Sequence, residues 1–259
     1  MGPGNDTISA GGGNNVIQVG AGNTFIGSAG ADTILAATGS ETITAVDAAA
    51  SDVVYGNASN VFFVGGGGST VFGGTGSDTV FGGTGPDLLF GGSKGDNFLQ
   101  AGSGPATLFG GGNGDQLYAG GSSPQELHAG AGNESLFGGF ASGSNTFYGG
   151  TGSDQIFGGG SGNNTFVGGS GSATITAGAG ASNLFEFINS AATSGGTDTV
   201  GGLTNTSQVH IALSGYAMDE AANAVAGQTT NGTSVTISLS DGTKVTFENI
   251  THLTSSNFT

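Results

Sequence analysis

An all-β fold, a parallel solenoid of short strands joined by glycine-rich turns, is predicted by three observations. A nine-residue frame GGxGxDxUx, with U apolar, recurs over residues 2–185 and is cleanest at 73–81 (GGTGSDTVF) and 82–90 (GGTGPDLLF). The chain of 259 residues holds 57 glycines, four prolines and no tryptophan, too little bulk for a conventional globular core. The glycines recur on a period of nine and not three, which argues against collagen, and their alternation with single apolar residues argues against disorder.

Each repeat justifies one strand and one turn. Three residues of strand bury one side chain between two that face outward, so xUx places U inside. The expected core column is Ile8, Ile17, Ile34, Ile43, Val54, Phe62, Val71, Val80, Leu89, Phe98, Leu108, Leu117, Leu127, Leu136, Phe147, Ile156, Phe166, Ile175 and Leu184. The six glycine-rich residues before it make the turn, where the backbone needs φ > 0 and its carbonyls must converge without interference from a Cβ. Two residues ahead of U lies a polar slot, filled by Asp6, Asn15, a position near Thr24, Asp32, Glu41, Asp52, Asn60, Ser69, Asp78, Asp87, Asp96, Ala106, Asp115, Gln125, Glu134, Asn145, Asp154, Asn164, Ala173 and Ser182.

This many-times-repeated motif resembles the RTX (repeats-in-toxin) family over about 185 of the 259 residues. The resemblance implies a β-roll of about ten coils, two repeats to a coil. It also implies calcium ions between the turns of repeats i and i+2, held by slot carboxylates and turn carbonyls. Sorting the slots by parity then places Asp78, Asp96, Asp115, Glu134 and Asp154 on one edge, and Ser69, Asp87, Ala106, Gln125, Asn145 and Asn164 on the other. The steps from 96 to 106, 115 to 125, 134 to 145 and 154 to 164 are ten or eleven residues, and the return steps are nine. Calcium needs six to eight oxygens at about 2.3–2.6 Å, hence a turn of set length closed by a carboxylate. A one-sided ladder follows, with sites between 78 and 96, 96 and 115, 115 and 134, and 134 and 154. Asp32 and Asp52 make one site on the other edge, and Asp87 completes the candidate ligands.

The charge balance gives this ladder a task. Two lysines stand against 18 acids, a formal net charge of −16, which makes nucleic acid and anionic lipid unsuitable partners. Carboxylates stacked about 4.8 Å apart repel by roughly 1 kcal/mol per neighbouring pair even in water. Four calcium ions would bring the formal charge to −8, so calcium is expected to drive folding. The chain would then stay extended in a calcium-poor cytoplasm and fold outside. Cysteine is absent, consistent with an exported chain stabilised by metal and not by disulfides. No apolar run of spanning length and no amino-terminal leader pattern occurs, so no membrane insertion is expected.

Past residue 185 the period stops. Residues 234–239 (SVTISL) and 244–250 (KVTFENI), joined through Asp241-Gly242, read as a β-hairpin, and 218–226 as one or two helical turns. Residues 1–185 are thus expected to form the roll, and 186–259 a β-rich cap that also resembles the carboxy-terminal secretion regions of type I exported RTX proteins, implying that export machinery as a partner.

His128, His210 and His252 show no metal-protease spacing, and nothing else suggests a catalytic constellation, so no enzyme activity is expected. Aromatic residues following U (Phe72, Phe81, Phe90, Phe109, Tyr118, Phe137, Tyr148, Phe157 and Phe185) cover the sheet, form a lateral contact surface or offer a sugar-stacking platform. The first repeat starts at Gly2 without a cover, which suggests head-to-tail assembly into a homo-oligomer or filament. The expected function is that of a secreted, calcium-stabilised structural protein of a biofilm matrix, fibre or surface layer. The alternative is a calcium-binding and secretion module of a larger exported enzyme, toxin or adhesin, and a carbohydrate-binding module comes third.

Overall fold

The computed structural model describes residues 4–259 except 28, 37–38, 46, 48, 58–59, 140–142, 160–161 and 179–181. The expected bare start at Gly2 lies outside the described residues. The chain is all-β, a parallel β-solenoid with about nine turns and, among the described residues, one short α-helix. It divides into two compact units, residues 1–127 and 128–259.

In the first unit, alternate strands stack into two parallel sheets. One contains Thr7–Ser9, Thr24–Ile26, Ser40–Thr44, Asn60–Val64, Thr79–Phe81, Phe98–Gln100 and Gln116–Tyr118 in that order, and the other Val16–Val19, Thr33–Ala36, Ser51–Tyr55, Gly68–Phe72, Asp87–Phe90 and Ala106–Gly111. Each strand pairs in register with the strand two repeats on, as in Leu89 opposite Val71 and Leu108. The second unit repeats the scheme with Ser135–Phe137, Ser153–Phe157, Ser172–Thr176 and Thr197–Gly201 in one sheet, and Thr146–Tyr148, Thr165–Val167, Asn183–Ile188 and Val209–Ser214 in the other.

The core column is the expected one except at three places. Phe62 is 42% exposed while Phe63 is fully buried; Phe98 and Leu184 are half-buried while Leu99 and Phe185 are fully buried. Phe25 fills the column at the ambiguous repeat. Two apolar residues stand side by side at each of the three places, so the motif allows either to be U. A one-residue slip in a strand exchanges its faces, and the slot moves with it, from Asn60 to Val61, Asp96 to Asn97 and Ser182 to Asn183. Near Thr24 the slot is Asn23. Phe185, expected to face outward, is therefore core.

Coil-to-coil stacking continues past residue 185. Thr197–Gly201 pairs parallel with Ser172–Thr176, and Val209–Ser214 with Asn183–Ile188. The expected hairpin is present as Ser234–Ser238 and Lys244–Glu248, antiparallel, with Gly242 at φ 93° in its turn. Lys244–Glu248 also pairs parallel with Thr197–Gly201, so the hairpin extends the sheet. The helix spans Glu220–Ala226. Glu220, 5% exposed, accepts the Ser240 N–H at 2.7 Å, and Tyr216 donates to Asp241 at 2.6 Å, tying the helix region to the hairpin turn.

Leu99→Ala should cost about 2–5 kcal/mol of folding free energy, the usual range for emptying a buried leucine site. Phe98→Ala should cost clearly less. Denaturant titration of both variants in saturating calcium checks the register, and equal losses would contradict it.

Candidate metal centres

The slot side chains are the polar groups that most repeats carry inward, two slots to a coil. Asp32, Asp52, Asp78, Asp87, Asp115, Glu134 and Asp154 are all buried, as are the amides Asn97, Gln125, Asn145, Asn164 and Asn183. A turn and a three-residue strand leave the slot two residues before U and so on the same, inner face. Glycine makes room for it. A Cβ on Gly73 would overlap Asp78 Oδ2, and one on Gly82 would overlap Asp87 Oδ2. Gly74 and Gly92 take φ of 102° and 95°, where a side chain is strained.

At aspartate and asparagine slots one side-chain oxygen repeatedly accepts the slot N–H of the preceding coil, whereas Asp87 N–H, which faces the Ala106 slot, donates to Pro105 O at 3.0 Å. In the first unit Asp32 N–H donates to Asp52 Oδ1 (2.9 Å), Val61 N–H to Asp78 (2.7 Å), Ser69 N–H to Asp87 (2.9 Å), Asp78 N–H to Asn97 (2.8 Å) and Asn97 N–H to Asp115 (2.9 Å). In the second unit Glu134 N–H donates to Asp154 Oδ1 (3.0 Å) and Asn164 N–H to Asn183 (3.1 Å).

The second oxygen separates the carboxylates. Asp87, Asp115 and Asp154 use Oδ2 to accept the N–H of Gly83 (2.9 Å), Gly112 (3.2 Å) and Gly150 (3.0 Å), each in the turn leading to that slot. Asp32 Oδ2, Asp78 Oδ2 and Asp198 Oδ2 are buried without a partner. Burial pushes the Asp78 carboxyl up to about 7 against the bond from Val61 N–H, with Asp115 and Glu41 adding to the rise. Burial likewise raises Asp87 to about 6, and it raises Asp52 and Asp115.

Asp198 was not among the expected slots because its turn is longer than the frame allows. The structure places it in the column nonetheless, 2% exposed, with Ala173 N–H donating to its Oδ1 at 2.9 Å. Burial pushes its carboxyl up to about 7, and Asp154 adds to the rise. The legible signal is DTV at 198–200, an acid two residues before an inward valine.

Asp96 is the reverse case. It is exposed, at φ 64°, and its neighbour Asn97 occupies the column. The edge through Asp78 and Asp115 is therefore interrupted by an amide, and the expected sites at 78/96 and 96/115 lose their shared inward carboxylate. With Asn97 in register, the ten-residue step falls between 87 and 97, so one lengthened turn lies on the acid-rich edge. Asp115 and Glu134 belong to different units.

The carboxylate slots fit a divalent cation. Their unpartnered oxygens are buried, both lysines are exposed, and turn backbone lies alongside. Among the described residues no three His, Asp or Glu side chains converge, so carbonyl oxygens would supply most of a shell of six to eight.

The aromatic columns run outside this polar interior. Tyr55, Phe72, Phe90 and Phe109 stack with centroids 4.8–5.2 Å apart and planes within 8°. Rings stacked on one another turn their edges outward, which is the wrong presentation for a sugar ring. Alongside them lie Thr33, Val53, Thr70, Leu88 and Thr107, so this face of the first unit carries no charge over those coils.

Each carboxyl raised on folding contributes stability that is fully present below its unfolded value of about 4 and lost as pH rises through the folded value. For Asp78, Asp87 and Asp198 that loss runs from about pH 4 and is complete above the folded values of about 7, 6 and 7. In chelator, acidification from pH 8 to 5 should therefore increase β structure, read by circular dichroism. A flat profile would show that these carboxyls are not buried in the metal-free chain.

No helix among the described residues is long and apolar enough to cross a membrane. A search of curated proteins finds no match. The family model for the RTX calcium-binding nonapeptide repeat matches residues 2–45, 48–69, 72–123 and 141–181 in overlapping segments. Those segments cover more than half of the chain and include most of the slot column, from Asp32 to Asp115 and from Asn145 to Ala173, and the chain belongs to the RTX calcium-binding repeat family.

Proposed function

We propose that this chain is a secreted structural protein that folds on meeting calcium and then associates with copies of itself in a matrix, fibre or surface layer. The single observation that carries the reading is the set of buried carboxylate oxygens without donors at Asp32, Asp78 and Asp198. An ionised carboxylate taken from water without a partner costs several kcal/mol, so the folded coil is unfavourable at neutral pH until a cation is present. Calcium supplies positive charge and accepts carbonyl oxygens as further ligands. Asp32, Asp52, Asp78, Asp87, Asp115, Glu134, Asp154 and Asp198 are the residues that would hold it.

Metal binding that completes only in the folded state adds its free energy to folding. Extracellular calcium would accordingly act as the folding signal for a chain exported unfolded, by the type I route that the carboxy-terminal segment resembles. Self-association is supported by the distribution of charge. The slot acids lie at the turns, whereas the face bearing Tyr55, Phe72, Phe90 and Phe109 is uncharged and partly apolar. Copies meeting through such faces would keep their acidic edges apart. No catalytic role is proposed.

Circular dichroism should show loss of β structure in chelator and recovery in millimolar calcium, with light scattering rising only after recovery. A monodisperse chain in calcium would favour the alternative role as a module of a larger exported protein. Asp87→Ala should raise the calcium concentration needed for half-folding more than Asp96→Ala, since only Asp87 faces inward. The same midpoint shift in both would contradict the register.

A further inference from the structure

Between Asp87 and Asn183, slot chemistry follows turn length. The steps into Asn97, Gln125, Asn145, Asn164 and Asn183 are ten or eleven residues, and those into Ala106, Asp115, Glu134, Asp154 and Ala173 are nine. Every lengthened turn over this stretch is closed by an amide.

The amides make a bond that carboxylates cannot. Asn97 Nδ2 donates to Lys94 O at 2.6 Å and Asn164 Nδ2 to Gly158 O at 3.1 Å, each within its own turn. Asn145 Nδ2 reaches Gly138 O at 3.3 Å, and Gln125 Nε2 donates to Gly120 O and Ser123 O at 3.2 Å and to Gly104 O of the coil before at 2.8 Å. Asn23 does the same in a shorter turn, with Nδ2 on Gly20 O at 2.9 Å. All five are buried. Asn97 Nδ2 additionally donates to Asp115 Oδ1 at 2.9 Å, and Asn15 Nδ2 to Asp32 Oδ1 at the same distance. An ionised carboxylate has acceptors only, so a turn carbonyl facing it finds no donor there and needs a cation.

We infer that the slot amides Asn97, Gln125, Asn145 and Asn164 are covalently attached substitutes for calcium. Their NH2 groups give the turn carbonyls the positive partner that the ion gives at carboxylate slots, so the turns they close form without metal. Calcium demand is thereby confined to the carboxylate turns. Asn97 divides the acid-rich edge of the first unit, relieving the repulsion between Asp78 and Asp115 without a shared ion. The inference deepens the calcium-coupled reading above and rests on it.

The test uses the whole chain and calcium alone, reading the calcium midpoint of folding by circular dichroism and the thermal midpoint in saturating calcium. Asn164→Asp removes the donor and adds a charge, so it should raise the calcium midpoint several-fold and regain the wild-type thermal midpoint in saturating calcium. Asn164→Ala should lower the thermal midpoint at every calcium level. In the opposite direction, Asp78→Asn should lower the calcium midpoint, and Asp78→Ala should not.

The substitution idea is overturned if Asn164→Asp is no better rescued by calcium than Asn164→Ala, or if Asp78→Asn behaves as Asp78→Ala. A wild-type chain whose folding ignores calcium would instead refute the calcium-coupled reading itself, and the substitute role with it.

Discussion

The structure depends on satisfying the buried polar side chains that most repeats carry inward, at two slots to a coil. The solenoid interior is narrow, with the apolar U residue filling the middle and the slot residue placed at the turn. The slot oxygen that accepts the preceding coil's N–H replaces a sheet bond at the point where the strand ends. Val61 N–H on Asp78 and Ala173 N–H on Asp198 show that this bond persists when the donor residue is not itself polar. A buried backbone N–H left unpaired would cost about 1–3 kcal/mol, so the slot is structural before it is a ligand. The atom left over then distinguishes an amide, which can donate to its turn, from a carboxylate, which must find a donor or a cation.

Charge and apolar surface are separated by the same geometry. Alternation along three-residue strands sends U inward and its neighbours outward, while the slot acids are carried to the turns. Stacking coils in register then lines like residues into columns, giving the ring stack from Tyr55 to Phe109 its spacing of about one strand separation. Because the rings are parallel, each hides its faces against the next, and the column behaves as a flat apolar strip.

Residues after 185 show the solenoid outlasting its motif. Thr197–Gly201 and Val209–Ser214 keep the parallel pairing and the inward column with Asp198, Val200, Val209 and Ile211, although the turns joining them no longer follow the nine-residue frame. What sustains a coil is therefore the inward pattern of its strands, and the turn can lengthen provided its ends return to register.

Periodicity alone determined the fold class, most of the core column from Ile34 to Ile175 and the inward slots Asp32, Asp52, Asp78, Asp87, Asp115, Glu134 and Asp154, and the Asp241-Gly242 turn between two strand-like stretches determined the hairpin. A fixed spacing of inward residues has only one parallel winding that buries them. Tertiary structure decided the cases in which two apolar residues compete: Phe63 over Phe62, Leu99 over Phe98 and Phe185 over Leu184. It thereby exchanged Asp96 for Asn97 and recruited Asp198. A local frame cannot distinguish these neighbours, since either suits an isolated strand; only the register imposed by the coils on both sides selects which one points in.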